Sequence, residues 1–230
     1  MTKLKSDALR GRVQRHVVVY GHKVAIDADV LLWTDTGLEF KAGDGARRRN
    51  PKRQVDLGVV HWTGSENDIP TLFRTLDTRE LGVEFAIDKA GVIWQFCDPA
   101  LIDTFDAGVV NPRSWGVEVV CYGHRKLFSL RNPDSARPTY NCRLHGKTFK
   151  AAEFNHAQLQ ALHALCNAMA TAFPSMPRQV PVGPDRLVLN RAMRPDELRD
   201  YRGVVGHFHI TNKKVDPGLQ PIEFLKEKWG

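Results

Sequence analysis

The strongest constraint on the fold is a change of pattern at residue 55. From Val55 onward, short apolar runs alternate with amphipathic stretches, which confines the chain to a sheet covered by helices. Val55 to Trp62 predicts a buried strand, and Asp68-Ile69-Pro70 predicts the capped start of a helix whose apolar face is Ile69, Leu72, Phe73 and Leu76. Val83 to Asp88 and Val92 to Phe96 read as strands joined at Lys89-Ala90-Gly91, and Trp115 to Cys121 as another. Residues 124–150 are polar and basic without a clear period and predict a long surface excursion. Ala151 to Phe173 predicts the longest helix, with Phe154, Leu159, Leu162, Leu165 and Met169 at helical spacing and Pro174 and Pro177 behind it. Val204-Val205-Gly206 reads as a last short strand and Ile222 to Trp229 as a terminal helix. The expected class is α/β: a mixed central β-sheet flanked by helices, with a short N-terminal β-rich extension.

Residues 13–42 carry that extension as short strands, Val17 to Tyr20, Val24 to Ile26, Val30 to Trp33 and Leu38 to Phe40, with turns at Gly21-His22 and Asp35-Thr36-Gly37. Gly43 to Gln54 reads as a linker broken at Gly43-Asp44-Gly45, which divides the chain into 1–54 and 55–230. Arg47, Arg48, Arg49, Lys52 and Arg53 crowd this linker and read as a solvated run. They contribute to an excess of 33 Lys and Arg over 26 Asp and Glu, a formal +7 that suits polyanionic surroundings. The run has no interleaved aromatic residues for base stacking, so no nucleic-acid partner is expected. No apolar run approaches the roughly 20 residues of a spanning helix, so no membrane partner is expected either. Met1 to Asp7 is followed by no apolar segment of the signal-peptide kind, and a cytoplasmic chain without a signal peptide is expected. Cys97, Cys121, Cys142 and Cys166 form no CxxC pair and are expected to be free thiols in a monomer.

Three places combine acid–base or metal-binding residues with strand ends. His61 closes the run Val59-Val60-His61-Trp62-Thr63-Gly64; Glu118 is a lone acid within Trp115 to Val120; and Gly206 to Gly218 packs two histidines, two lysines and an aspartate into one loop. A buried carboxyl without a partner has a raised pKa, so Glu118 calls for a cation or a proton-transfer role. Taken singly, each has a plainer reading: a satisfied core histidine, a solvent-facing glutamate, and an Asp-Pro-Gly turn. None of the three is an HExxH motif. His156 and His163, seven apart on the longest helix, read as surface histidines.

The combination is more specific. His61-Trp62-Thr63, then Phe85 to Gln95, then Ala107-Gly108 with Asn111 to Glu118, then Gly206-His207, then Lys214 to Gly218, resembles in order the zinc-dependent N-acetylmuramoyl-L-alanine amidases. That family is shared by phage endolysins, wall-recycling enzymes and peptidoglycan recognition proteins, and the similarity runs over roughly residues 55–220. The resemblance implies zinc (Zn2+) held by His61, His207 and Asp216, with Glu118 as general base and acid and Lys214 as oxyanion stabiliser. His209, two residues beyond His207, competes as a ligand; His207 is preferred because it directly follows Gly206, as in the family pattern. The implied partners are bacterial peptidoglycan or muropeptide fragments, cut between N-acetylmuramic acid and L-alanine. The setting is either a phage lysin acting after holin-dependent release or a cytosolic recycling enzyme, with the amino-terminal strands and basic charge favouring the lysin, and a non-catalytic peptidoglycan-binding module of the same fold is the alternative to the enzyme. Two positions depart from the pattern. Glu84 stands where a His or another polar residue is common, either facing substrate or exposed on its strand, and Asp106 stands where Trp-His-Ala-Gly would place a histidine.

Overall fold

The computed structural model describes residues 11–43, 47–124 and 137–230. Met1 to Asp7, and Asp44 and Gly45 of the expected linker breaker, lie outside them. Among the described residues no helix is long and apolar enough to cross a membrane.

The elements follow the expected alternation. A hairpin of β1 (Gln14–Val19) and β2 (His22–Leu31) leads through a short helix α1 (Trp33–Thr36) and β3 (Arg48–Arg49) to β4 (Leu57–Trp62). Helix α2 (Ile69–Thr78), β5 (Phe85–Ile87), β6 (Ile93–Gln95), β7 (Ile102–Asp103), a 3-10 turn (Gly108–Arg113) and β8 (Ser114–Val119) come next. A second hairpin, β9 (Thr139–Leu144) and β10 (Lys147–Ala152), precedes α3 (His156–Ala172). The chain ends with α4 (Pro195–Asp200), β11 (Gly203–Gly206), α5 (His207–Ile210) and α6 (Gln220–Trp229).

Seven strands form one mixed sheet in the order β1-β2-β6-β5-β8-β4-β11. β4 lies between β8 and β11, parallel to both, and its first five residues are buried. A parallel strand covered on both faces reads as a continuous apolar run, which is why Leu57 to Val60 shows no alternation. Side chains of β5 divide between the faces: Phe85 and Ile87 join the core under α3, and Ala86 joins the core under α2. Asp68 caps α2 by accepting from the Thr71 N–H at 2.9 Å, with Pro70 in the first turn, as the sequence predicts.

Several segments differ from expectation. Val24 to Ile26 and Val30-Leu31 belong to the one strand β2, Trp33 to Thr36 turns as helix α1 instead of ending a strand, and Leu38 to Phe40 is not a strand, although Phe40 is buried. Within residues 124–150, Thr139–Leu144 and Lys147–Ala152 pair as a hairpin, turned at His145 and Gly146, both at positive φ as a two-residue turn requires. Cys142, Leu144, Ala151 and Ala152 are buried, but Lys and Arg on the alternate positions hide the period. The long helix begins at His156 rather than Ala151, because Asn155 accepts from the Gln158 N–H and stops the helix from extending backward. The four cysteines are free, as expected, and all four are buried.

The amino-terminal hairpin is part of the main sheet. β2 pairs in parallel with β6, the Gln95 side chain bonds both the N–H and the carbonyl of Val18, and Asp98 accepts from the N–H groups of Tyr20 and Gly21.

The arginine run is not uniformly solvated, contrary to expectation. Arg47 is buried, pairs with Asp77 at 2.8 Å, donates to the Leu81 carbonyl and lies 3.9 Å over the Phe40 ring. Arg53 is buried as well: it pairs with Glu84 at 3.2 Å and donates to the carbonyls of Ile102, Asn111 and Ser114. Glu84 is therefore neither exposed nor substrate-facing; its other carboxylate oxygen accepts from the Gly116 N–H at 2.7 Å. Arg48 and Arg49 remain exposed on β3.

Removing one partner of such a pair strands the other charge. Arg53→Ala is expected to lower unfolding stability by about 3–5 kcal/mol, whereas exposed Arg49→Ala changes it by less than about 0.5 kcal/mol. Equal urea midpoints for the two variants would contradict the buried pairing.

Candidate metal centre

Three neighbouring parallel strands deliver the site at their carboxyl ends, where open α/β sheets bind ligands. His61 is the fifth residue of β4, and its register partner on β8 is Glu118. On the other side Gly206, the end of β11, pairs with Val60, so the next residue, His207, arrives beside His61. A Cβ on Gly206 would stand 2.7 Å from the Phe208 ring and from Pro217, so this close turn requires glycine. The loop after α5 returns Asp216 to the site, and the Asp216 carbonyl accepts from the Phe208 N–H at 3.0 Å.

The three expected ligands converge. His61 Nδ1 lies 3.0 Å from Asp216 Oδ2 and 3.0 Å from His207 Nδ1, and His207 Nδ1 lies 3.1 Å from Asp216 Oδ2. Two imidazole nitrogens facing each other at 3.0 Å need a shared proton or a cation between them. Two imidazoles and one carboxylate are a normal open catalytic set for zinc, whose bonds of about 2.0–2.1 Å in tetrahedral array hold donors roughly 3.3 Å apart. The donor set therefore fits the ion that the resemblance implies, and these three residues could hold a metal.

His209 is engaged elsewhere. Its Nδ1 accepts from the Gly206 N–H at 3.0 Å and its Nε2 donates to the Leu189 carbonyl at 2.7 Å, so both ring nitrogens are committed. Burial pushes its pKa down to about 3, which keeps the ring neutral in that tautomer.

Charge within the cluster is set by burial and by close carboxylates. Burial disfavours the charged ring of His61, but Asp106 and Asp216 outweigh it and raise the pKa to about 10. Burial would raise Asp216, yet His207 and His61 hold its carboxyl well below the usual range. Burial and the His61 and Lys214 charges push His207 down, against Asp216. Glu118 is raised to about 7, chiefly by burial, with His61 and Lys214 opposing and Asp216 and Asp106 reinforcing. Its Oε2 is shielded from solvent and has no hydrogen-bond partner among the described residues.

The three candidate ligands, Glu118 and Lys214 line one cavity of about 230 Å3, together with Trp62, Leu76, Arg79 and Phe105. Lys214 is exposed at its rim, and the Lys214 carbonyl accepts from His145 Nε2 at 2.9 Å. The same cavity includes Asp106, whose Oδ2 accepts from His61 Nε2 at 3.0 Å. Sequence reasoning noted Asp106 as a departure and missed this contact. The signal was a carboxylate inside a block that otherwise keeps the expected pattern.

The model of the N-acetylmuramoyl-L-alanine amidase family matches residues 51–219, well over half of the chain. The chain belongs to that family. Membership supports a peptidoglycan amidase activity. Among solved structures, the N-acetylmuramoyl-L-alanine amidase LysC from Clostridium intestinale is similar with a TM-score of 0.52 at 13% identity, over 86% of this chain and 95% of that one. The Drosophila peptidoglycan recognition protein SD gives 0.50 at 12% identity, over 84% and 89%. Both likenesses establish the mixed sheet flanked by helices. No curated protein matches the sequence. The family match begins at residue 51, so the β1–β2 hairpin lies outside it while sharing its sheet.

His209→Ala is expected to keep full zinc content after dialysis while losing about 1–3 kcal/mol of stability, because two buried backbone groups lose their partner. His207→Ala is expected to lose the metal. Zinc retained in His207→Ala and absent from His209→Ala would reverse the assignment.

Proposed function

We propose that this amidase is zinc-dependent and hydrolyses the amide between the lactyl group of N-acetylmuramic acid and L-alanine in peptidoglycan. The observation that carries the reading is the convergence of His61 Nδ1, His207 Nδ1 and Asp216 Oδ2 in one cavity lined also by Glu118, whose Oε2 has no hydrogen-bond partner among the described residues. His61, His207 and Asp216 would hold the ion. Bound there, zinc supplies Lewis-acid chemistry, polarising a carbonyl and lowering the pKa of water from 15.7 towards about 7.

The Glu118 carboxylate takes a proton from the attacking water and returns it to the nitrogen of the departing alanine. A carboxyl held near neutrality suits both halves of that transfer, since it neither binds nor releases the proton too firmly. Lys214, at the rim, donates from Nζ to the oxygen of the former carbonyl as negative charge gathers on it. Trp62, Leu76 and Phe105 reduce the water around these groups and so strengthen their electrostatic contacts. Water adds across the C–N bond, leaving a lactyl carboxylate and a free L-alanine amino group.

A phage-type lysin acting on intact wall is the proposed setting. The formal +7 supports approach to an anionic wall by long-range steering, although Arg47 and Arg53 are spent inside the fold.

Dye release from labelled cell walls is expected to stop in EDTA and to return with added zinc. Glu118→Gln should keep one zinc per chain and lose about 10²–10⁴-fold in rate. A wild-type protein that binds walls but releases no soluble peptide would leave a recognition module instead of an enzyme.

A further inference from the structure

Asp106 is the carboxylate whose presence in the cavity the proposed reaction does not use. Its side chain is 6% exposed, and Oδ2 sits 3.0 Å from His61 Nε2, on the opposite side of the ring from the Nδ1 that meets His207 and Asp216. An imidazole has two nitrogens, and an acceptor fixed on one decides which tautomer is present and which nitrogen is left for a cation. A free His61 ring could rotate about its side-chain bonds or offer Nε2 instead.

Space for this contact comes from the neighbouring strand. Gly116 of β8 is two residues from Glu118, and a Cβ built there would lie 1.9 Å from Asp106 Oδ2 and 2.8 Å from Asp106 Cγ. Any other residue at 116 would force the carboxylate away. The Gly116 N–H is held by Glu84, which is in turn paired with Arg53, and Arg53 also donates to the Asn111 carbonyl. Asn111 accepts from the N–H of Ala107, the residue after Asp106, through its side chain at 2.8 Å. The residue after Asp106 is thus tied to the 3-10 turn, and the strand against which Asp106 packs is held by the buried Glu84–Arg53 pair.

We propose that Asp106 is a positioning residue for the metal: through His61 Nε2 it locks the ring so that Nδ1 faces His207 and Asp216, and Gly116 provides the room for it. The inference rests on the zinc reading of the His61, His207 and Asp216 cluster. Carboxylates that orient ligand histidines in this manner typically change metal affinity by about 10–100-fold when removed.

Zinc affinity measured by chelator competition on the full chain tests it. Asp106→Ala should bind zinc about 10–100-fold more weakly than wild type. Asp106→Asn, which keeps an acceptor oxygen at the same place, should recover part of that loss. Gly116→Ala should weaken zinc in the wild-type background and cost little further in the Asp106→Ala background, because the group it displaces is already gone. Nitrogen NMR of the zinc-loaded wild type should show His61 metallated at Nδ1 and protonated at Nε2, with that proton exchanging faster in Asp106→Ala. Unchanged affinity in Asp106→Ala, no recovery in Asp106→Asn, or the same Gly116→Ala loss in both backgrounds would overturn the inference while leaving the metal site standing. If wild-type protein binds no stoichiometric zinc, the metal reading itself fails.

Discussion

Two histidine rings and a carboxylate brought within about 3 Å of one another in a buried site are the constraint around which this fold is organised. Such a cluster is unfavourable unless its charges are balanced and its lone pairs are used. The sheet meets that demand by placing three strand ends side by side: β8 contributes Glu118, β4 contributes His61, and β11 leads directly into His207. Parallel pairing is what makes this possible, since it puts three carboxyl ends at one edge of the sheet. The fourth participant, Asp216, arrives by a loop, and its return is fixed by a backbone bond to the first turn of α5.

Behind the cluster lies a second buried charge pair, Arg53 and Glu84. Burial raises the Glu84 carboxyl, and the nearby Asp106 adds to the effect, while the Arg53 guanidinium opposes both. Arg53 also satisfies three backbone carbonyls in the loop region around β7 and the 3-10 turn, so one side chain from the basic run organises the floor beneath the site. A run of cations that looks solvated in sequence is in fact partly consumed as internal structure.

What the sequence revealed depended on whether a signal was local. Buried parallel strands, the Asp68 cap and the spaced apolar residues of α3 are written in neighbouring residues and could be read directly. The candidate ligand trio spans positions 61 to 216, and spacing alone left it open; only the ordered resemblance to a family joined its members. Contacts between distant polar residues were the least legible. Nothing near Glu84 announces Arg53, and nothing near Asp106 announces His61 or the glycine that accommodates it. The β9–β10 hairpin was hidden for another reason: its buried positions are small or few, and its solvent face is dense with charge.

The central claim is that one zinc ion is held by His61 Nδ1, His207 Nδ1 and Asp216. Anomalous diffraction at the zinc absorption edge, on crystals of the zinc-loaded full chain, tests it most directly. The account predicts a single strong peak within bonding distance of those three atoms, with His61 Nε2 turned to Asp106. A peak on His209, on any cysteine, or on His61 Nε2 would contradict it.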